Sequence, residues 1–326
     1  VLYTGSDDDS VSQNVTGVGF QPDLVWIKRR NLETHNVLTD ALRGATKVLN
    51  SNQTVAEVDD TYGVTAFGSD GFTVREQDVA GGQTNTGTLV SWNWKAGGSG
   101  SSNSDGSVTV TTSANATAGF SIIYHASEGY FGGTYGHGLG KKPAFVITRD
   151  VDNVNNFYVW HQSYSNPTYN YMLLNTSGAI ATSSANEYNP TSTLVMTDQG
   201  LNRKGITYVW AEIEGFSKFG VYEGNASAAG PFINCGFRPA LVIFRPITNG
   251  NYWLIIDNKR DPFNDNAPQR LYTNVADAET TYSQTKVDLL SNGFKINGTY
   301  GDTNPSGGLV LYMAWAESPF KYANAR

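Results

Sequence analysis

The stretch GFRPALVIFRPITNGNYWLIID, residues 236–257, decides the fold because it recurs along the chain. Two apolar runs flank a break that contains Asn249 and a glycine, a pair typical of a hairpin turn. Similar sequences occur at GFQPDLVWIKRRNLETHNVLTD and at GLGKKPAFVITRDVDNVNNFYVWH. Aligning the three stretches places Pro22, Pro143 and Pro239 at the same position. The pattern therefore predicts a repeated hairpin that begins a repeated fold.

The composition favours strands over helices. The 326 residues include 35 Gly, 18 Tyr, 15 Phe and 7 Trp, and only 16% are charged. Aromatic residues suit a pleated sheet surface, and Gly, Asn and Asp suit turns. We therefore predict an all-β protein of three tandem antiparallel β-sandwich, jelly-roll-like repeats, each about 98 residues long.

The predicted repeats occupy residues 1–98, 120–217 and 218–326. Residues 99–119 form a Gly/Ser-rich linker with one strand, SVTVTT, and such a composition is typical of flexible connections. We expect a hinge near residues 97–106 and a stiffer pair of repeats after it.

Each repeat closes on an aromatic strand. The segments YVWAEIE and LVLYMAWAE, which contain Trp210 and Trp315, are apolar at nearly every position. This pattern predicts central strands covered on both faces, with the two tryptophans in the core. In the first repeat either Trp92 or Trp94 is the equivalent residue.

Helical signals are scarce. A short helical turn is predicted over residues 274–282 with Asn274 as its N-cap, and residues 35–44 are compatible with either strand or helix.

Charge and motif content exclude several classes of protein. A net charge of −7 argues against a nucleic-acid-binding face, which needs clustered Lys and Arg. Cys235 is the only cysteine, so neither an intrachain disulfide nor a thiolate metal site is expected. No apolar run approaches the length of a membrane span, and no phosphate-binding or dinucleotide fingerprint occurs, so neither membrane insertion nor a cofactor is expected. The four histidines lack metal-ligand spacing, and the acidic run Asp7, Asp8 and Asp9 fits a solvated turn better than a cation site.

The sharpest catalytic candidate is a pair of glutamates, Glu212 and Glu214, in AEIEGF. On a strand these side chains would share a face about 7 Å apart, near the separation used in glycoside hydrolysis. The segment is also similar to the Glu-x-Asp-x-x-Glu strand of jelly-roll β-glucanases, but Ser217 stands in place of the third acid. The third repeat keeps Glu317 and has Pro319 opposite Glu214, so the pair is not a shared feature. A structural Glu212 is favoured, and no catalytic residue is assigned.

Two tyrosine-rich loops are the candidate binding surface. They are EGYFGGTYGHG, residues 128–138, and YSNPTYNY, residues 164–171. Tyrosine with Gly and Asn provides stacking area and hydrogen bonds at low entropy cost, as sugar recognition requires. The candidate glycan-binding residues are Tyr130, Tyr135, His137, Tyr169 and Tyr171.

The quoted motifs also carry a family resemblance. GFQPDLVWIKRRN, VSWNWKAG, WAEIEGFSKFGVYEGNASAAGPFINCGFRPALVIF and MAWAESPFKYANAR resemble repeat-containing virion structural, tail-fibre-like and lectin-like proteins of marine bacteriophages and cyanophages. The resemblance covers essentially the whole chain, includes no catalytic motif and assigns no functional residue.

This resemblance implies a virion protein on the exterior of a phage particle, at the tail or the capsid surface. A tail fibre or another surface appendage that contacts host cell-surface glycan is the favoured function. Other virion proteins and host polysaccharide are the expected partners, and a homo-oligomer, such as the trimer usual for fibres, is expected. The alternatives are a capsid decoration or structural tail component without a ligand and, second, a polysaccharide-degrading enzyme.

Overall fold

The computed structural model describes residues 1–8, 11–75, 81–126, 133–183, 190–196, 204–248, 250–264 and 268–316. Over these ranges the chain forms antiparallel strands and one short 3-10 helix, Ser283–Thr285, and it contains no α-helix. The prediction of an all-β protein is confirmed.

The first nine strands build a large sheet and a small sheet. They are β1 (Leu2–Thr4), β2 (Ser12–Thr16), β3 (Leu24–Arg29), β4 (Val37–Asp40), β5 (Lys47–Asn50), β6 (Val58–Asp59), β7 (Val64–Gly68), β8 (Gly71–Arg75) and β9 (Thr88–Trp94). The first large sheet has the order β1-β9-β3-β4-β5-β6, and the first small sheet has the order β2-β8-β7.

The next ten strands build the second pair of sheets. They are β10 (Ser101–Asn103), β11 (Val110–Asn115), β12 (Phe120–His125), β13 (Thr134–Gly136), β14 (Pro143–Asp150), β15 (Tyr158–His161), β16 (Asn170–Leu173), β17 (Ala181–Thr182), β18 (Leu194–Met196) and β19 (Gly205–Ala211). The second large sheet has the order β10-β11-β12-β19-β14-β15-β16-β17, and β13 pairs with β18 in the second small sheet.

The last nine strands build the third pair. They are β20 (Ser217–Glu223), β21 (Phe232–Asn234), β22 (Pro239–Pro246), β23 (Leu254–Asp257), β24 (Gln269–Tyr272), β25 (Thr280–Thr281), β26 (Val287–Leu290), β27 (Gly293–Ile296) and β28 (Leu309–Ala316). The third large sheet has the order β20-β28-β22-β23-β24-β25, and the third small sheet has the order β21-β27-β26.

The three large sheets have the same connectivity over six strands. The closing strand β9 lies between β1 and β3, β19 lies between β12 and β14, and β28 lies between β20 and β22. The registers agree as well: the paired residues are Leu24 and Trp94, Phe145 and Trp210, and Leu241 and Trp315. Trp94, rather than Trp92, is therefore the counterpart of the other two tryptophans.

Each large sheet is covered on both faces, which explains its continuous apolar strands. In β22 the side chains of Val242 and Phe244 belong to a cluster with Phe294 of the third small sheet. The alternate residues Leu241 and Ile243 belong to a central core that contains residues of all three large sheets. Alternation along a strand thus assigns successive side chains to two different cores. The predicted central position of β19 and β28 is confirmed.

The three tryptophans named above meet in the central core. The ring centroids of Trp94 and Trp210 lie 5.8 Å apart, and those of Trp210 and Trp315 lie 6.2 Å apart, both in edge-on arrangements. Such pairs add about 0.5–1.5 kcal/mol beyond the free energy of burying their surface. Trp210 and Trp315 are 2% and 5% exposed, so their predicted place in the core is confirmed.

The expected hinge near residues 97–106 is replaced by bonded structure. The amide of Gly97 donates to Ser113 Oγ at 2.8 Å, and β10 extends the second large sheet through β11. Gly98 and Gly100 have φ of 78° and 75°, so these glycines serve turns. Residues 99–119 consequently contain two strands where the sequence predicts one.

Two predicted hairpins are confirmed, whereas the predicted helical turn is wrong. β22 pairs with β23 and β14 with β15, as the sequence predicts, and Asn249 lies outside the described residues. Residues 37–40 are strand β4. The helical turn predicted at 274–282 is wrong: Asn274 Oδ1 accepts a hydrogen bond from Trp253 N at 2.9 Å instead of capping a helix, and strand β25 lies within the segment.

Candidate binding surface

Two of the residues predicted to bind glycan are in the core. Tyr135 is 2% exposed and stacks on His125 with ring centroids 5.1 Å apart. His137 is fully buried; its Nδ1 accepts a hydrogen bond from the amide of Leu139 at 3.2 Å, and burial lowers its pKa. Neither side chain is presented to a ligand at the surface, and Tyr130 lies outside the described residues.

The other two predicted residues, Tyr169 and Tyr171, are half-buried. The ring of Tyr171 on β16 packs against Tyr158 on β15, with centroids 5.7 Å apart. This tyrosine pair remains at the surface of the second large sheet. Of the four predicted residues that the structure describes, two are therefore core residues and two are half-buried.

Glu212 and Glu214 do not stand on a strand. β19 ends at Ala211, and the chain then turns, with the amide of Ser217 donating to Ile213 O at 2.8 Å. Ser217 Oγ accepts a hydrogen bond from the amide of Ile213 at 3.0 Å, so the residue at the missing third acid closes this turn. Glu212 pairs with Lys218 Nζ at 2.7 Å, as a structural role requires. The predicted geometry of two carboxylates on one strand face is wrong.

The remaining candidates for chemistry have structural contacts. Asp7 Oδ1 accepts a hydrogen bond from the amide of Gly87 at 2.8 Å, which joins two loops. Burial raises the pKa of Cys235 to about 12, so at neutral pH the thiol is protonated and a poor nucleophile. In the described part of the chain no group of three His, Cys, Asp or Glu residues is placed to hold a metal ion.

Three buried cations hold the large sheets to each other. Lys28, Arg149 and Arg245 occupy equivalent positions on β3, β14 and β22, and each is 0% exposed. None of them forms an ion pair with a carboxylate of the described residues. Each donates to a backbone carbonyl of another segment, where the first, second and third segments are the parts of the chain that build the first (β1–β9), second (β10–β19) and third (β20–β28) pairs of sheets. Hydrogen bonds to charged groups are worth about 1.5–3 kcal/mol each.

These contacts run in one cyclic direction. Arg149 Nη2 donates to Thr54 O of the first segment at 2.7 Å, and Arg245 Nη2 donates to Gly178 O of the second. Lys28 Nζ donates to Ala276 O of the third segment at 2.8 Å, which closes the circle. Backbone hydrogen bonds accompany the cations at each junction: Glu57 N to Val151 O at 2.8 Å, Ile180 N to Ile247 O at 3.1 Å, and Glu279 N to Arg30 O at 2.7 Å.

Two of the three junctions contain a buried acid–base trio. Arg43 bonds Asp40 at 2.5 Å and Glu57 at 3.0 Å, and Tyr208 of the second large sheet donates to the same aspartate at 2.8 Å. The second trio has the same geometry: Arg260 pairs with Asp257 and Glu279, and Trp92 Nε1 donates to Asp257 at 3.1 Å. In the second segment the equivalent of the aspartate is His161, whose pKa is lowered by burial to about 3.

One arginine at the surface has a different environment. Arg270 on β24 is partly exposed and lies over three tyrosine rings, with its Cζ 4.6 Å from the centroid of Tyr282, 5.4 Å from Tyr300 and 5.7 Å from Tyr272. Tyr252 extends the patch, because its ring lies 5.0 Å from Tyr272 and 39% of it is exposed. We call these five residues the Arg270 cluster.

The Arg270 cluster is not predicted by the sequence. Its tyrosines are spread over about fifty residues, and the pairing of β24 with β23 and with β25 and the return of the chain at residue 300 bring them together. A local density of tyrosine cannot indicate such a patch.

The structure thus defines an all-β protein whose antiparallel sheets enclose a shared core, with an aromatic surface patch on the third segment. The chain belongs to the family described as Domain of unknown function (DUF7483), which matches residues 1–319. No curated protein and no solved structure matches the chain. No helix in the described ranges is long and apolar enough to cross a membrane.

Proposed function

We propose that the chain is a bacteriophage virion structural protein, a tail fibre or other surface appendage that contacts host cell-surface glycan. The observation that carries this proposal is that equivalent buried cations join the three segments of the chain. The three segments carry a cation at the same position of the sheet. Each cation donates a hydrogen bond to the backbone of another segment, and the three residues are Lys28, Arg149 and Arg245. Shared residues that build a rigid body favour a structural protein over an enzyme.

The proposal includes the architecture. The chain is three copies of one β-sandwich, jelly-roll-like unit, closed into a ring with approximate threefold symmetry around the tryptophans of the central core. The common strand order, the matched registers and the cyclic direction of the buried cations support this reading. A compact ring with many interlocking contacts suits a particle exposed to mechanical load and proteases outside a cell.

The location is tested on particles. An antibody raised against the purified chain should label purified virions at the tail or a surface projection, seen by electron microscopy with gold-conjugated secondary antibody. Label scattered over the capsid would favour the decoration alternative. A chain missing from virions by both labelling and mass spectrometry would refute the proposal.

Binding and catalysis are separated by two measurements on the same protein. The chain should be retained by host surface polysaccharide on a column, and it should leave the chain length of that polysaccharide unchanged over hours. Glu212→Gln should alter neither result, because Glu212 is bound to Lys218. Depolymerisation that disappears in Glu212→Gln would instead establish the enzyme.

The oligomeric state is tested by sedimentation equilibrium. The expected trimer has three times the chain mass of 35.3 kDa. A mass of one chain would contradict the expected trimer.

A further inference from the structure

We propose that the Arg270 cluster binds a saccharide that carries a carboxylate, such as a uronic acid residue of a polysaccharide. This inference rests on the proposed function only in assuming that the chain meets glycans, and it names the site and the chemistry that would select them. The cluster joins flat aromatic faces with a cation that forms no ion pair with a carboxylate of the described residues.

The aromatic part supplies surface for a sugar ring. The rings of Tyr282 and Tyr300 meet edge-on at 5.0 Å, and Tyr252 and Tyr272 meet at 5.0 Å with an angle of 50°. Tyr252 is 39% exposed and Tyr282 and Tyr300 are half-buried, so part of each ring is open to a ligand, while the Tyr282 hydroxyl donates to Gln284 Oε1 at 3.0 Å. Tyrosine presents an apolar face and a polar tip on a side chain with little entropy to lose, which suits the mixed surface of a pyranose.

The charge of Arg270 selects the ligand. Its Nε donates to Thr280 Oγ1 at 2.9 Å, whereas its Nη1 is buried without a hydrogen-bond partner. No carboxylate of the described residues forms an ion pair with this arginine. A carboxylate is the group that matches the planar fork of a guanidinium, and the partly exposed Arg270 side chain can offer it a charge-assisted hydrogen bond.

Asp302 holds one ring of the cluster in place. It is 1% exposed and accepts a hydrogen bond from the Tyr272 hydroxyl at 3.0 Å. Burial raises the pKa of Asp302, and the charge of Arg270 opposes this shift. Asp302 therefore positions the Tyr272 ring, on which Arg270 stacks.

Other arginines at the surface of this chain differ. Arg30 is paired with Glu279 at 2.6 Å. Arg75 stacks on the ring of Tyr62, with its Cζ 4.9 Å from the centroid, so replacing it removes an arginine–tyrosine contact outside the Arg270 cluster. Arg75→Gln is therefore a matched control for Arg270→Gln.

The chain as a whole argues against a nucleic acid at this site. A nucleic-acid site needs several clustered cations, whereas the chain has a net charge of −7 and Arg270 supplies one cation over these tyrosines. One carboxylate per sugar, spaced along a polysaccharide, fits one arginine among aromatic rings better than a continuous phosphate backbone does.

The test uses the full chain and two probes of identical length, an oligogalacturonate and its methyl ester, in calorimetric titrations. Wild type should bind the acid at least about tenfold more tightly than the ester, and Arg270→Gln should lose that preference. Arg75→Gln should bind like wild type. Tyr282→Leu, which keeps the charge, should weaken binding of both probes and retain the preference for the acid. Circular dichroism should show the wild-type spectrum for each variant.

Three results would overturn the inference. Equal affinity of wild type and Arg270→Gln for the acid would mean that the saccharide binds at another site, and the proposal that the chain contacts glycan would still stand. Tighter binding of a single-stranded oligonucleotide or a phosphopeptide than of the oligogalacturonate would replace the ligand class. No binding of either saccharide probe would dismiss the site, whereas failure of virion labelling would dismiss only the proposed function.

Discussion

The indole of Trp94 lies 5.6 Å from that of Trp315, with the ring planes 72° apart. The two residues close different large sheets, and Trp210 of the remaining sheet contacts both. A single apolar cluster therefore belongs to three segments of the chain at once. Because no large sheet can lose its inner cover without exposing the other two, we expect the chain to unfold as one cooperative unit.

Replacing Trp94 with Ala should lower the free energy of unfolding by about 3–5 kcal/mol, because it removes a buried indole from the contact of three sheets. Urea titrations followed by circular dichroism should show one transition, shifted to lower urea. Phe263→Ala, at a side chain 84% exposed, should change stability by less than about 0.5 kcal/mol. A second transition in the Trp94 variant, with most of the signal unshifted, would contradict the shared core.

Much of the fold could be predicted because its signals are local. The apolar alternation and continuous apolar runs that define β14, β22 and β28 are properties of short segments, and recurring prolines set their register. The same local reasoning assigned Trp210 and Trp315 to the core. Segments 97–106 and 274–282 were misread because glycine and asparagine have the same composition signal whether they serve a tight turn, a flexible linker or a cap.

The candidate site could not be predicted for a physical reason. Tyr135 and Tyr282 occur in similar polar sequences that are rich in glycine or threonine. Tyr135 nevertheless packs on His125 in a core, whereas Tyr282 lies beside Arg270 at the surface. The difference depends on which sheet face each residue meets, and that is decided by strand pairing between distant segments. Sequence context alone does not contain this information.

The stability of the chain should depend on the proton of Lys28. Burial lowers the pKa of this ammonium to about 8 from 10.5. Between these values the unfolded chain binds more protons at this residue than the folded chain does. The contribution of Lys28 to the free energy of unfolding therefore increases as pH rises. The gain is at most about 1.4 kcal/mol per pH unit. Below pH 8 both states are protonated and the gain is absent.

This dependence is isolated by comparison with Lys28→Met. Urea unfolding of both proteins at pH 7, 8, 9 and 10 should show that the free energy of unfolding of the wild type rises relative to that of the variant as pH increases. Lys47→Met is the control, because Lys47 is partly exposed, pairs with Asp59 at 2.9 Å and has a raised pKa. A difference between wild type and Lys28→Met that is constant with pH would show that the ammonium keeps an ordinary pKa.

Arg43 should be far more important to stability than a surface cation. It is 1% exposed and bonds both Asp40 and Glu57, and Arg43→Met leaves Asp40 buried without its cation. Breaking a buried pair in this way costs about 3–5 kcal/mol. Lys47→Met, which breaks the exposed pair with Asp59, should cost about 1 kcal/mol or less. Chemical denaturation of the two variants at pH 7 tests the contrast, and equal losses would mean that the buried trio has no special role.

Tyr135→Ala should damage folding rather than glycan binding. The ring is 2% exposed and lies on His125, so its removal should lower the free energy of unfolding by about 3–5 kcal/mol and leave saccharide affinity unchanged in the molecules that remain folded. Tyr171→Ala, at the half-buried pair with Tyr158, should cost about 1 kcal/mol because less apolar surface is lost. Thermal unfolding gives the two stabilities, and titration with oligogalacturonate gives the affinities. If Tyr135→Ala kept its stability and lost affinity, this tyrosine would have to reach the surface in solution, and the separation between core tyrosines and the exposed rings around Arg270 would fail.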